Sequence, residues 1–104
     1  MSIDELSVQI IANAGDSKSE SLEAIETARK GDIESARKML ENSMKSLLKA
    51  HEVHTEFLVN ESRGEVSYIP FILVHASNHL SVAEVTRDFA EIIINIYEEM
   101  KKNV

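Results

Sequence analysis

The short stretch "KGD" at residues 30–32 decides the fold, because it ends one helix and begins another. Gly31 suits the left-handed conformation that follows many helices, and Asp32 suits the N-cap of the next one. A second break, "SRGEVSYIP" at residues 62–70, contains Gly64 and the single proline of the chain, Pro70. The two breaks predict helices at residues 3–30, 33–62 and 68–101.

The lengths of these segments indicate how they pack. Each segment has close to 30 residues and at ~1.5 Å per residue is about 40–45 Å long. Short connections between long helices place neighbouring helices antiparallel. We therefore predict an all-α fold, an antiparallel three-helix bundle in which residues 1–104 form a single domain.

Composition excludes several classes of function. The chain has a net charge of −7 and no cysteine, which excludes disulfides, thiolate metal sites and a cysteine nucleophile. The acidic balance disfavours binding to nucleic acid or to an anionic membrane. With no basic leader segment and no apolar run of ~18–20 residues, we expect a cytoplasmic protein that binds a protein or a small ligand.

Helix 2 has the clearest periodicity of the three. Apolar positions recur at steps of three and four, as in an a/d-type seam, at Ile33, Ala36, Leu40, Met44, Leu47, His51, His54 and Leu58. Two histidines therefore stand where the pattern favours aliphatic residues. Helix 1 is less regular, and Gly15 within it is compatible either with a kink or with a close approach between helices.

Helix 3 is apolar on nearly every face. Its apolar residues include Ile69, Phe71, Ile72, Leu73, Val74, Phe89, Ile92, Ile93, Ile94, Ile96 and Tyr97. A helix that is apolar all round favours burial all round, whereas a three-helix monomer buries only one side of each helix. The pattern predicts an oligomer in which helix 3 packs against copies of itself; the alternative is a monomer with an apolar surface.

The four histidines of the chain converge when helices 2 and 3 fold back about a turn near residues 65–66. His54 then lies opposite Ser77, His51 lies opposite Leu80, and His75 and His79 are within about one helical turn of that level. The histidines can be ordinary polar residues near the surface, or a zinc or copper site. They can also form a phosphohistidine carrier, because a neutral imidazole is a competent nucleophile towards phosphorus. The motif "HASNH" lacks the glutamate of the H-E-x-x-H zinc peptidases.

Three segments resemble a known family: "IIANAGDSKSESLEAIETARKGDIESARKML" at 10–40, "LLKAHEVHTEFL" at 47–58 and "ILVHASNHL" at 72–80. In order and spacing they are similar to enzyme IIA proteins of the lactose/cellobiose branch, including diacetylchitobiose, of the bacterial sugar phosphotransferase system. The resemblance implies a cytoplasmic homotrimer of three-helix bundles. It also implies a phosphoryl group received from HPr and passed to a cysteine of enzyme IIB, which serves the membrane transporter IIC.

The resemblance also implies roles for individual residues. His75 matches the histidine that carries the phosphoryl group, through Nε2, and His79 matches its neighbour in the phosphoryl site. His51 matches a helix-2 histidine of the family, and His54, where the family usually has glutamine, is a further candidate for the phosphoryl site. The alternative is a diverged IIA-like trimer that binds a metal or a regulatory protein.

One difference from the family motif bears on metal binding. The family motif usually reads H-A/G-Q-D-H, whereas this chain has Ser77 and Asn78 at its third and fourth positions. In the family trimer the aspartates meet on the axis and hold a divalent cation, because facing carboxylates repel each other. Three Asn78 amides can instead hydrogen-bond to one another. We therefore predict a trimer with no axial metal and no other cofactor.

Overall fold

The computed structural model describes residues 1–103, and these residues contain three α-helices and no strand. Helix α1 spans Ile3–Arg29, α2 spans Ile33–Ser62 and α3 spans Phe71–Lys102. The predicted three-helix bundle is confirmed, with overall dimensions of 59 × 20 × 18 Å. The last residue of the predicted domain, Val104, lies outside the described part of the chain.

The helix ends follow the local chemistry of the chain. Ser2 and Asp32 cap α1 and α2, each accepting a hydrogen bond from a backbone N–H three residues later. The bond from the Ser35 N–H lowers the pKa of Asp32. The predicted start of the third helix at residue 68 is wrong. Pro70 is the N-cap of α3 with an extended backbone, and a proline disfavours helical geometry at the residue before it.

Helix α1 is the central helix of the bundle and packs extensively against both others, whereas α2 and α3 contact each other less. Small side chains on its buried face allow this close packing: Ser7, Ala14, Ser17, Ser21, Ala24 and Ala28. The helix continues without interruption through Gly15. A Cβ at Gly15 would meet open space, so Gly15 does not mark a close approach between helices.

The hydrophobic core is divided into two clusters. One contains Ile10, Leu47, Phe57, Leu73 and Leu80, and the other contains Leu40, Ile94 and several alanines. The buried serines Ser17, Ser21 and Ser43 lie outside both clusters and form what we call the serine layer. Ser21 and Ser43 donate their hydroxyl hydrogens to carbonyls of their own helices, so these two hydroxyls cost little to bury. The Ser17 hydroxyl has no hydrogen-bond partner among the described residues.

Polar contacts connect α2 to α3 along much of their length. Arg37 donates to Asn95 and forms an ion pair with Glu98, and the Arg87 guanidinium donates to the Leu40 carbonyl. The bonded pairs lie at nearly equal distances from the turn at residues 65–66, which agrees with the predicted antiparallel register. Within residues 1–103 no helix is both long and apolar enough to cross a membrane.

The predicted seam of α2 is wrong at one end. Leu58 is 55% exposed, and its neighbour Phe57 enters the core instead. The observed buried face of α2 also includes Ser43 and Ala50, each one position before the predicted Met44 and His51. An a/d pattern therefore located the buried face of α2 to within one residue. The pattern did not predict which residues of α2 face α1 and which face α3.

One side of α3 is apolar and exposed in the single chain. We call it the α3 stripe; it consists of Phe71, Val74, Asn78, Val82, Val85, Phe89, Ile92, Ile96 and Met100. Successive members are three or four residues apart, the spacing of helices that pack against other helices. Asn78 is the single polar residue of the stripe.

Substitutions at Gly31 and Gly15 test whether the turn between α1 and α2 requires a glycine. Gly31 has φ of +99°, which costs an L-residue about 1–2 kcal/mol, whereas Gly15 is in a helix, where alanine is favoured by about 1 kcal/mol. A Cβ meets no atom within 4 Å at either position, so only the backbone differs. We expect Gly31→Ala to lower and Gly15→Ala to raise the urea midpoint. A Gly31→Ala midpoint at or above wild type would contradict the role of Gly31.

Candidate functional site

The exposed face near the start of α3 carries a pair of histidines in direct contact. The Nε2 atoms of His75 and His79 are 3.0 Å apart, and the ring planes are nearly perpendicular, with centroids separated by 4.5 Å. His75 is exposed and His79 is half-buried. Two ring nitrogens at this distance form a hydrogen bond only when one carries the hydrogen and the other offers its lone pair.

His54 of α2 is bound to α3 by a different contact. Its Nε2 atom lies 2.9 Å from the Oγ atom of Ser77, as the register predicts. Ser77 donates its hydroxyl hydrogen to the Leu73 carbonyl at 3.0 Å. A serine hydroxyl has one hydrogen, so the hydrogen in the contact with His54 comes from the histidine. His54 therefore carries its hydrogen on Nε2.

His51 makes the second histidine contact between α2 and α3. Its Nε2 atom bonds to Oε1 of Glu84, and both side chains are partly exposed. An ionised carboxylate only accepts hydrogen bonds, so Nε2 of His51 is also a donor. The sequence interpretation placed Leu80 opposite His51 and missed Glu84. The i, i+4 spacing could have identified this contact, because Glu84 is one helical turn beyond Leu80 on α3.

The structure thus places all four histidines in the same part of the bundle, but in separate contacts. Nε2 of His51 and of His54 donates a hydrogen bond, so the lone pair of each neutral ring is on Nδ1 and not on Nε2. The pair of His75 and His79 differs, because one of its two Nε2 atoms must present a lone pair. Nucleophilic attack on phosphorus requires such a lone pair.

A four-histidine metal centre is not formed in the described part of the chain. No group of three or more histidine, cysteine, aspartate or glutamate side chains within residues 1–103 is arranged to hold a metal ion. A small cavity lies beside the histidines instead, with a volume of about 150 Å³. His54 and Ser77 are at its edge, and most of its lining is apolar, including Phe57, Ile69 and Leu73.

Two solved structures that superimpose closely on this chain are sugar phosphotransferase proteins. A cellobiose-specific enzyme IIA from Bacillus anthracis superimposes with a TM-score of 0.93 and 28% identity, covering 100% of this chain and 96% of the other. The IIA(Chitobiose) protein of Escherichia coli, solved as a complex with HPr, gives a TM-score of 0.85 at 27% identity and covers 97% and 98% of the two chains. The class of protein is therefore a phosphotransferase-system IIA component.

Sequence comparisons identify the family. Residues 5–98 match the family described as the PTS system, lactose/cellobiose-specific IIA subunit. A lichenan-specific IIA component of Bacillus subtilis is 39% identical over 98 residues, which are 94% of this chain and 89% of the relative. A diacetylchitobiose-specific component of Escherichia coli K12 is 27% identical over 95% of this chain and 85% of its own length. The protein belongs to the lactose/cellobiose-specific IIA family of the phosphotransferase system.

The contact between His54 and Ser77 gives a prediction for stability. Ser77→Ala removes the acceptor of His54, whereas the matched variant Ser81→Ala removes a hydroxyl that bonds to a carbonyl of its own helix. Both variants gain the same helix propensity, so their difference isolates the histidine bond. We expect Ser77→Ala to be less stable than Ser81→Ala by about 1 kcal/mol in urea unfolding at equal protein concentration.

The same contact predicts a tautomer. Long-range nitrogen–proton NMR correlations of wild type should show the His54 hydrogen on Nε2, and this preference should weaken in Ser77→Ala. A His54 ring protonated only on Nδ1 would contradict the assigned hydrogen bond.

Proposed function

We propose that the Nε2 atom of His75 accepts a phosphoryl group from phospho-HPr and passes it to a cysteine of enzyme IIB. The observation that carries this proposal is the 3.0 Å contact between the Nε2 atoms of His75 and His79. It is the one histidine contact described above that requires a ring-nitrogen lone pair. His75 is the more exposed of the two rings, which favours it as the group that meets another protein.

His79 then has a defined role beside the nucleophile. Its Nε2–H donates to the His75 lone pair in the resting state. During attack, that lone pair forms the new N–P bond while the bond from phosphorus to HPr breaks. The His79 N–H is left to donate to a phosphoryl oxygen, and such a charge-assisted bond stabilises the transferred group. Attack by the IIB thiolate then breaks the N–P bond and returns the electron pair to His75.

The helix-2 histidines support this arrangement by holding α2 against α3. Ser77 is between His75 and His79 in the sequence, and its bond to His54 fixes the level of α2 at the site. His51 and Glu84 make a second contact farther along α3. In this proposal His51 and His54 border the phosphoryl site but carry no phosphoryl group themselves.

The relatives support the proposed partners and sugar class. A structural neighbour was solved as an IIA–HPr complex, which supports HPr as the donor. The relatives are named for lichenan, lactose and diacetylchitobiose, and a structural neighbour is named for cellobiose. We therefore infer a cytoplasmic carrier that serves, through IIB, a IIC transporter for a β-linked disaccharide.

The assignment of the nucleophile is tested by phosphoryl transfer from phosphoenolpyruvate through enzyme I and HPr. Wild type should form an acid-labile, alkali-stable adduct, and His75→Ala should form none. His79→Ala should form the adduct roughly 100-fold more slowly, the usual effect of removing one stabilising donor. Label on His75→Ala would reject the assigned nucleophile.

We also propose that the protein is a homotrimer in which the α3 stripes of three copies meet. The stripe exposes large apolar groups, including Phe71 at 82% and Phe89 at 59%, and burying such groups favours association. Asn78 would lie near the axis, where amides can donate to and accept from one another. Because an amide carries no charge, the trimer would need no axial cation.

Sedimentation equilibrium tests the trimer and its independence from metal. The expected mass is three times the 11.7 kDa of one chain, both with and without EDTA. Asn78→Asp should make the trimer dissociate when EDTA is added, because three ionised carboxylates then face one another. Asn42→Asp, the same change on an exposed part of α2, should leave the mass unchanged. A wild-type trimer that dissociates in EDTA would contradict the amide contact.

A further inference from the structure

The Nε2 atoms of His75 and His79 have the geometry of a chelate as well as that of a hydrogen bond. They lie on one exposed helical face, four residues apart, with the two nitrogens at 3.0 Å. We propose that they bind a copper(II) ion and that the bound ion blocks phosphoryl transfer. The second half of this proposal rests on the proposed function, whereas the copper site itself does not.

The separation of the two nitrogens is compatible with a right-angled chelate. With metal–nitrogen bonds of about 2.0–2.1 Å, as in zinc–imidazole sites, nitrogens 3.0 Å apart subtend about 91–97° at the metal. That angle is close to the right angle of square-planar or tetragonal coordination, which is diagnostic of copper(II) and nickel(II). A tetrahedral zinc ion requires a wider angle. Of these divalent ions, copper(II) binds nitrogen ligands most tightly.

A change of tautomer and a rotation of the rings separate the hydrogen-bonded pair from the chelate. Both rings must be neutral and must direct an Nε2 lone pair at the metal. One ring already does so. The other moves its hydrogen from Nε2 to Nδ1, a change of tautomer that releases no proton from a neutral pair. The rings must also turn, so that both lone pairs point at a metal that lies beside the line joining the two nitrogens, about 2.0–2.1 Å from each.

The other histidines are unsuited to complete the site. Nε2 of His51 and of His54 is committed to Glu84 and Ser77. No third histidine, cysteine or carboxylate joins the pair within residues 1–103 in an arrangement that would hold a metal. Within one chain, the remaining coordination positions are therefore open to water. The chain has no cysteine to compete for copper or to reduce it.

Copper and phosphate exclude each other because they use the same electron pair. The lone pair on Nε2 of His75 forms either the metal–nitrogen bond or the N–P bond. A copper-loaded protein should therefore not accept the phosphoryl group, and a phosphorylated protein should not bind copper at this site.

The copper site is tested by titrating metal-free protein with copper(II) in a weakly coordinating buffer, followed by calorimetry and by electron spin resonance. We expect one copper per chain, with hyperfine coupling to two nitrogens. His79→Ala should weaken binding at least about tenfold, because the second imidazole acts intramolecularly. Ser81→Ala, a change at an exposed residue of the same helix outside the histidine contacts, should leave the affinity unchanged. Equal binding by wild type and His79→Ala would overturn the chelate.

The block is tested separately, with isolated phospho-HPr as donor after enzyme I has been removed. Copper-loaded wild type should accept no label, and EDTA should restore transfer. Unchanged transfer to the copper-loaded protein would overturn the block. If metal-free wild type accepts no label, the proposed carrier function fails, but the titration still decides the copper site. If transfer is normal and binding does not depend on His79, the copper site fails and the carrier function stands.

Discussion

The antiparallel register between α2 and α3 is the constraint on which the rest of the site depends. Hydrogen bonds and ion pairs are directional, so pairs such as His54 with Ser77 and Arg37 with Glu98 fix the axial position of one helix against the other. A shift of one helical turn, about 5.4 Å, would separate these partners. Hydrophobic contacts alone would tolerate such a shift more readily, because the hydrophobic effect is not directional.

This register determines the hydrogen-bond partners of the four histidines. It brings acceptors from α3 to His51 and His54, and each acceptor holds the Nε2 hydrogen of its histidine. His75 and His79 are on the outward side of α3, where their nearest polar partners are each other. The hydrogen-bond partners thus determine which Nε2 atoms donate, although the four side chains are chemically the same.

Much of the fold could be predicted from the sequence because glycine and proline act locally. Gly31, Gly64 and Pro70 set the breaks, and the turn at residues 65–66 then set the level at which His54 meets Ser77. The exact side of each helix was harder to predict, because adjacent residues such as Phe57 and Leu58 differ by only 100° around the axis. Their hydrophobicity is similar, so periodicity alone does not choose between them.

The partner of His51 was missed for a related reason. Two residues one turn apart on α3, Leu80 and Glu84, were within reach of the same imidazole, and the choice depends on side-chain rotamers and charge. The pairing of His75 with His79 was easier to anticipate, since residues four apart on a helix always share a face. The orientation of their Nε2 atoms towards each other came only from the structure.

The serine layer has a consequence for the motions of the molecule. Because the small polar residues Ser17, Ser21 and Ser43 separate the two apolar clusters, each end of the bundle buries its own large side chains. Local unfolding can therefore involve one end without exposing the core of the other. Amide hydrogens near the histidines should then exchange at similar rates to one another. Those rates should be independent of the rates at the end that contains Ile94. Movement of the end that contains the histidines therefore need not disturb the opposite end of the bundle.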